Sequence, residues 1–394
     1  MDKQPLKVLF LTTSFPLTRE SRSGVFILRM IENLPAHIQL TVLTPDDSST
    51  RHYTVSDRYA LLPFRYAPKS WQGLAHGDGG IMAALAQSRW NLLLIAPLLC
   101  SCFLMTCWHA RKADVIHAHW SINGLIAGIV GLLWRKPVIT TLRGSDVNSA
   151  ATSWLMRQLA GSCLSHSKSV VTVSPALRQA LIQQFPIYTH KIKVVANGIA
   201  PAFFIAGDTR AATDRTVHFL YAGNLIVGKG VQVILEAAAA LSADNWLLDI
   251  VGEGAERENL EAFCQEKGLQ SKVRFHGSVA PEQMPEFMRR ADVFVFASFA
   301  EGRPNVVLEA MAAGLPVLAS SIPAVQELIV SGKEGLLFPP GDAQLLSEQM
   351  TRLLSNPTEL RSIGENARRT ITALNLSWQE TGRRYAALYE EAIN

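Results

Sequence analysis

Glu301 and Glu309 bracket the segment whose residue types and spacing promise the most chemistry, Glu301-Gly-Arg-Pro-Asn-Val-Val-Leu-Glu309-Ala-Met-Ala-Ala-Gly314. Pro304 and Asn305 can open a helix and Gly314 can close it. Glu309 then falls in about the first turn, with Glu301 in the loop ahead of it. A helix start presents backbone N–H groups and the positive end of the helix dipole, which suit a phosphate. Ionised carboxylates accept several hydrogen bonds each, which suits sugar hydroxyls. A nucleotide-sugar carries both kinds of group. Hydrolysis of a glycosidic bond suits the pair poorly. Retaining glycosidases hold their carboxylates about 5 Å apart, whereas eight residues of continuous helix rise roughly 12 Å. The bland alternative is an ordinary helix N-terminus with solvated glutamates.

Such a segment needs a strand before it, and residues 293–297 supply one. Strands and helices alternate along the whole chain. Strands are predicted at 7–13, 40–43, 115–119, 138–141, 170–173 and 193–195, with helical stretches such as 25–34 between them. After a Gly/Pro/Ala/Asp-rich boundary near 197–215 the plan repeats. Strands at 218–221, 247–251, 273–275, 293–297 and 316–319 alternate with helices at 231–241, 256–267, 282–290 and 306–313. This is an α/β pattern of two doubly wound parallel sheets, in which ligands bind beyond the carboxyl ends of strands. A last helix is expected over 375–394.

The 394 residues are 48% hydrophobic and 18% charged, enough apolar material for two sizeable cores. Charge is unevenly placed. Residues 1–200 carry 20 Lys/Arg against 9 Asp/Glu, and residues 201–394 carry 17 against 24. A basic first half suits an anionic partner. Five scattered cysteines make no disulfide framework and read as reduced apolar fillers in a cytoplasmic chain. The polar start, Met1 to Lys7, does not read as a signal peptide. No Asp, Glu, Lys or Arg occurs between Arg89 and Arg111. That run approaches the length of a bilayer span, and a buried or interfacial helix is the competing reading.

The Glu301–Glu309 segment, followed by Leu-Pro-Val317, resembles the retaining glycosyltransferases of family 4, which have the GT-B fold. The likeness extends to Ala222-Gly-Asn-Leu-Ile-Val-Gly-Lys229-Gly230, Val251-Gly-Glu-Gly254, Phe275-His-Gly277, Ala291-Asp-Val, Asn197-Gly-Ile199 and Asp114-Val-Ile-His-Ala-His119. It covers nearly the whole chain and is strongest toward enzymes of bacterial surface polysaccharides. It implies two Rossmann-like domains facing across a cleft. Residues 1–200 would form the acceptor side, joined by the last helix at about 378–394, and 201–377 the nucleotide-sugar domain.

The resemblance also implies roles. Glu309 would hold the nucleotide ribose and Glu301 the hydroxyls of the donor hexose. Gly302, Arg303, Pro304, Asn305 and Val306 would form the backbone cradle. Lys229 would neutralise the diphosphate as it leaves. Gly24, in Arg22-Ser-Gly24, would let a loop approach the phosphates, and His119 would line the reaction centre. Gly252 and Gly254 would sit beside the donor. Two positions depart from the family pattern. Asn224 stands where an arginine is usual, and Arg143, in Arg143-Gly-Ser-Asp146, where a histidine is usual. Either Arg143 restores the missing positive charge, or it forms a surface salt bridge to Asp146 and the diphosphate site is weaker.

Smaller signals complete the reading. His117 and His119 are expected on opposite faces of their strand, which makes them a poor metal pair. Gly252-Glu-Gly254 is either a fragment of a dinucleotide fingerprint, with Arg257 in place of the third glycine, or a tight strand-to-helix turn. No Asp-x-Asp occurs, so no metal and no cofactor are expected, with cations and a helix end at the diphosphate instead. The acceptor is expected to be a saccharide or lipid-diphosphate-linked saccharide, at an anionic membrane surface on the inner face of the cell membrane, and no nucleic acid is involved. Against this, the tryptophans could simply fill the first core. The function that follows is retaining, metal-independent hexosyl transfer in polysaccharide biosynthesis. A catalytically inactive, partner-binding subunit is the alternative.

Overall fold

The computed structural model describes residues 4–18, 24–76, 80–204 and 216–394. Arg22, the first three residues and 205–215 of the predicted boundary lie outside them. The chain forms two compact units. One runs up to Gly198 and takes in Trp378–Asn394, and the other is Ile199–Ser377. The chain therefore passes between the units twice, after Gly198 and again before Trp378.

In the first unit the elements run β1 (Leu6–Leu11), α1 (Val25–Glu32), β2 (Ile38–Pro45), β3 (Tyr59–Phe64), α2 (Gly80–Gln87), α3 (Ile95–Ala110), β4 (Val115–His119), α4 (Ser121–Trp134), β5 (Val138–Leu142), α5 (Gly144–Thr152), α6 (Trp154–His166), β6 (Ser169–Thr172), α7 (Pro175–Gln184) and β7 (Ile192–Val194). They form a parallel sheet in the order β3-β2-β1-β4-β5-β6-β7. β4, β5 and β6 are buried at every position, as a sheet covered on both faces requires. β3 was not among the predicted strands, and its run contains a proline, Pro63. It is tolerated because β3 is an edge strand and pairs only with β2.

The second unit runs β8 (Val217–Ala222), α8 (Val231–Ala239), β9 (Trp246–Val251), α9 (Arg257–Glu266), β10 (Val273–Gly277), α10 (Met284–Arg290), β11 (Val293–Phe296), α11 (Asn305–Ala312), β12 (Val317–Ser320), α12 (Pro323–Gln326), β13 (Gly335–Phe338), α13 (Ala343–Ser355) and α14 (Pro357–Ala373). Its parallel sheet is ordered β10-β9-β8-β11-β12-β13. Apolar cores lie on the two sides of this sheet. Both sheets reverse strand order once, between β1 and β4 and between β8 and β11. In open α/β sheets ligands bind at that switch point.

The closing helix, α15 (Trp378–Ile393), belongs to the first unit. Trp378, Tyr385 and Tyr389 enter the same core as Phe10, Ile27 and Ile31. His117 fastens it: Nδ1 lies 2.7 Å from the Tyr389 hydroxyl and Nε2 2.8 Å from Thr141 Oγ1, which is 3.2 Å from the Tyr385 hydroxyl.

All five cysteines are free thiols. Burial pushes the Cys102 and Cys163 thiols up to about 12, so they pack as small apolar groups.

Candidate functional site

In the second unit the switch point brings two of the candidate residues together. The loop after β8 holds Lys229 and the loop after β11 holds Glu301. Because those strands are neighbours, the Lys229 ammonium forms an ion pair with Glu301 Oε1. Ser298 Oγ donates to the same carboxylate oxygen at 3.3 Å. The loops are further tied by Phe299 N–H to the Gly228 carbonyl at 3.1 Å. Lys229 and Glu301 are both partly exposed, so the pair is reachable by a ligand.

α11 opens beside them. Val307 N–H and Leu308 N–H close onto the Pro304 carbonyl at 3.0 and 3.3 Å, so Asn305 and Val306 form the helix's leading end. Glu309 is the fifth helical residue, one turn in and half-buried. Glu301 is not helical, so a rise-per-residue separation from Glu309 does not apply. Gly302 and Pro304 are buried. The Arg303 guanidinium turns away to Glu327, 3.3 Å, just past α12, and burial lowers its pKa. Its Nε has no protein partner.

Gly252 and Gly254 serve backbone packing at this edge. A Cβ on Gly252 would stand 1.9 Å from the Gly223 carbonyl oxygen, and one on Gly254 2.3 Å from that of Leu225. Glu253 pairs with Arg257 on the next turn. The tight-turn reading of this segment accounts for every one of these contacts. Asn224 is exposed, and its carbonyl accepts from the Tyr221 hydroxyl at 3.0 Å.

The first unit's switch point gathers His119, Arg143 and Gly24. Here the sequence reading needs correcting. His117 and His119 share one face, with ring centroids 4.9 Å apart and both residues fully buried. A strand repeats every two residues, so positions i and i+2 point the same way. Their fates still differ. His117 spends both nitrogens on Tyr389 and Thr141, and burial, aided by Arg143, pushes its pKa down to about 3. His119 has both ring nitrogens buried with no hydrogen-bond partner, and burial holds it well below the ordinary histidine value.

Arg143 is not a surface residue paired with Asp146. Its guanidinium lies 4.2 Å from the Phe26 ring centroid and donates to Asn197 Oδ1 at 3.3 Å. Burial lowers it to about 10, and its Nε is unpartnered. Asp146 instead accepts from the Arg143 N–H at 3.0 Å, the Ser121 N–H at 2.8 Å and Ser121 Oγ at 2.9 Å. One carboxylate thus caps the starts of α4 and α5. Burial pushes it up from its ordinary value, against those donors.

Gly24 takes φ +75°, and a Cβ there would stand 2.3 Å from the Ser14 carbonyl oxygen. Trp120 also takes a positive φ, 69°, between His119 and α4. This is backbone strain of order 1–3 kcal/mol for a bulky residue. The sequence reading missed Trp120 and the role of Asp146. The Arg-Gly-Ser-Asp run directly after a strand was the available signal for the second.

The family model described as "Glycosyl transferase 4-like domain" matches residues 23–198, and "Glycosyl transferases group 1" matches 209–370. An uncharacterized glycosyltransferase of Methanocaldococcus jannaschii is 27% identical over 301 residues, covering 72% of this chain and 76% of its own. A D-inositol 3-phosphate glycosyltransferase of Corynebacterium glutamicum is 26% identical, covering 71% and 72%. Among solved structures, a sucrose-phosphate synthase from Thermosynechococcus elongatus matches with TM-score 0.81 at 20% identity, covering 98% of both chains. Anabaena HepE in complex with UDP and glucose matches with TM-score 0.76 at 19% identity, covering 98% and 99%. With both units matched and both sheets in place, the chain belongs to the group 1 glycosyl transferases, family 4-like enzymes of the GT-B fold.

Proposed function

We propose that this chain transfers a hexose from a nucleotide-sugar to a saccharide or lipid-linked saccharide, with retention of configuration and without a metal ion, in building a cell-surface polysaccharide. The carrying observation is the Lys229–Glu301 pair beside the leading end of α11. It puts a cation, a hydroxyl-accepting carboxylate and a helix start along one sheet edge, the three groups that a nucleotide-sugar would engage.

In this reading the donor separates the pair. The diphosphate takes Lys229 and the backbone cradle from Gly302 to Val306, the hexose hydroxyls take Glu301, and the ribose takes Glu309. The bond from the anomeric carbon to the diphosphate oxygen breaks, and the acceptor oxygen bonds that carbon on the same face. The acceptor proton passes to the departing phosphate oxygen. Lys229 stabilises the charge that develops there, an interaction worth most at the transition state. His119, neutral and with unspent ring nitrogens, is assigned to the sugar hydroxyls. Arg143 is assigned the positive charge that Asn224 lacks.

A donor screen tests this. UDP-, GDP- and ADP-sugars are added with EDTA present, beginning with UDP-glucose because HepE was solved with that ligand, and thermal shift and nucleotide release are followed. Stabilisation by one donor and its turnover without metal are expected. The exposed, neutral Asn224 favours the second reading, an inactive partner-binding subunit. Absence of stabilisation by any nucleotide would select it.

A further inference from the structure

The segment Arg89–Ala110 is apolar over 22 residues, yet only 17% of its most apolar window is buried. α3 forms its main part, with Pro97 tolerated in the first turn. One stripe, Leu98, Cys102, Thr106 and Ala110, is buried in the first unit. The opposite face is also apolar and faces outward. α4 packs alongside and continues it. Trp90, Leu93, Leu104, Trp108, Leu132 and Leu133 are each more than half exposed. The two helices are tied at one end. Trp134 Nε1 donates to Cys107 Sγ at 3.4 Å, and the Arg111 guanidinium lies 4.2 Å from the Trp108 ring and 5.5 Å from the Trp134 ring.

Charge decides what covers this face. Between residues 89 and 136, the two helices and their ends, the cations are Arg89, Arg111, Lys112, Arg135 and Lys136, and the one acid is Asp114. The Asp114 carboxylate accepts the Lys7 backbone N–H at 2.8 Å. An apolar platform with tryptophans at its margins and a collar of cations complements an anionic bilayer: apolar side chains enter the acyl boundary while Arg and Lys meet headgroup phosphates. A helix crossing the bilayer would have to withdraw the Leu98–Ala110 stripe from the core, which the packing of α3 opposes.

We infer that the outer faces of α3 and α4 form one docking platform on which this enzyme lies, helices flat, at the surface of an anionic lipid bilayer. The inference deepens the lipid-linked acceptor reading, but vesicle binding is measured without donor or acceptor, so either can fail alone. Full-length protein is sedimented with phosphatidylcholine vesicles that contain or lack about one-third phosphatidylglycerol, at low and high salt. Binding to the anionic vesicles at low salt is expected, weakened at least about tenfold by high salt or by removing the anionic lipid. The variant carrying Leu104→Glu, Trp108→Glu and Leu133→Glu should lose it while keeping its thermal transition. Brominated lipid should quench tryptophan fluorescence of the unaltered protein, and Trp90→Phe with Trp108→Phe should reduce that quenching, leaving the share of Trp134. Four results would overturn the inference: no binding to anionic vesicles at low salt, undiminished binding by the triple variant, protein that resists alkaline extraction as a spanning helix does, or a dimer that buries these tryptophans in place of lipid.

Discussion

Lys229 and Glu301, 72 residues apart in sequence, form an ion pair at the carboxyl ends of β8 and β11. Each is thereby held where a phosphate and a sugar hydroxyl would compete for it. Lys229→Ala is expected to lower kcat/KM at least about 100-fold, since it removes a charge from the leaving group. Glu301→Gln should act mainly through the sugar and leave binding of the free nucleoside diphosphate within about threefold. Steady-state kinetics beside calorimetry with UDP would separate the two. Equal loss of diphosphate affinity in both variants would contradict the division of roles.

Arg143 offers a direct test of the charge exchange with Asn224. Arg143→Ala should raise the donor KM or lower kcat at least about tenfold. Adding Asn224→Arg should restore a large part of the loss. Kinetics of Arg143→Ala indistinguishable from the parent would remove Arg143 from the donor site and leave it as a packing residue on Phe26.

Tyr389→Phe takes a hydroxyl from His117 and leaves Nδ1 of that buried ring without a partner. A loss of about 1–3 kcal/mol in denaturant unfolding is expected. Because Tyr389 lies in the first unit's core, the effect should appear in that unit's transition, with donor binding by the second unit unchanged.

Acid should destabilise the first unit earlier than carboxylate titration would. His117, at about 3 when folded, and His119, also depressed, are neutral in the folded state and take up protons near 6.5 when unfolded. Their contribution is complete above pH 6.5 and is lost as pH falls from there toward the folded value. The expected slope is about 1.4 kcal/mol per pH unit for each histidine. Urea unfolding at pH 7.5, 6.5 and 5.5 measures it, and His117→Gln should flatten the slope. A parent protein equally stable at all three would contradict a neutral buried pair.

Gly24→Ala combines a left-handed backbone with a Cβ 2.3 Å from the Ser14 carbonyl oxygen. Gly24 cannot keep its approach to Ser14 with that atom present. Activity should fall at least about tenfold while the second unit's donor affinity persists, since the strain lies wholly in the first unit.

The sequence by itself determined the alternation of strands and helices, the opening of α11 at Pro304–Asn305 and the family. Those signals are local: a proline at a helix start, a glycine after its end, an apolar run of strand length. Even the C-terminal helix was legible from its Tyr and Leu content. Tertiary structure decided what local patterns do not encode. Lys229 meets Glu301 only because β8 lies beside β11, and that adjacency is set by closure of the whole sheet. Arg143 could be read as paired with Asp146 at the surface until the fold placed its guanidinium over Phe26. His117 and His119 have similar neighbours in sequence, yet α15, arriving from the far end of the chain, engages Nδ1 of His117 through Tyr389 and neither nitrogen of His119. The Arg89–Ala110 run was visible as apolar, but only packing shows which stripe enters the core and which faces outward. Backbone preference acts over a few residues, whereas burial and pairing depend on residues tens or hundreds of positions away.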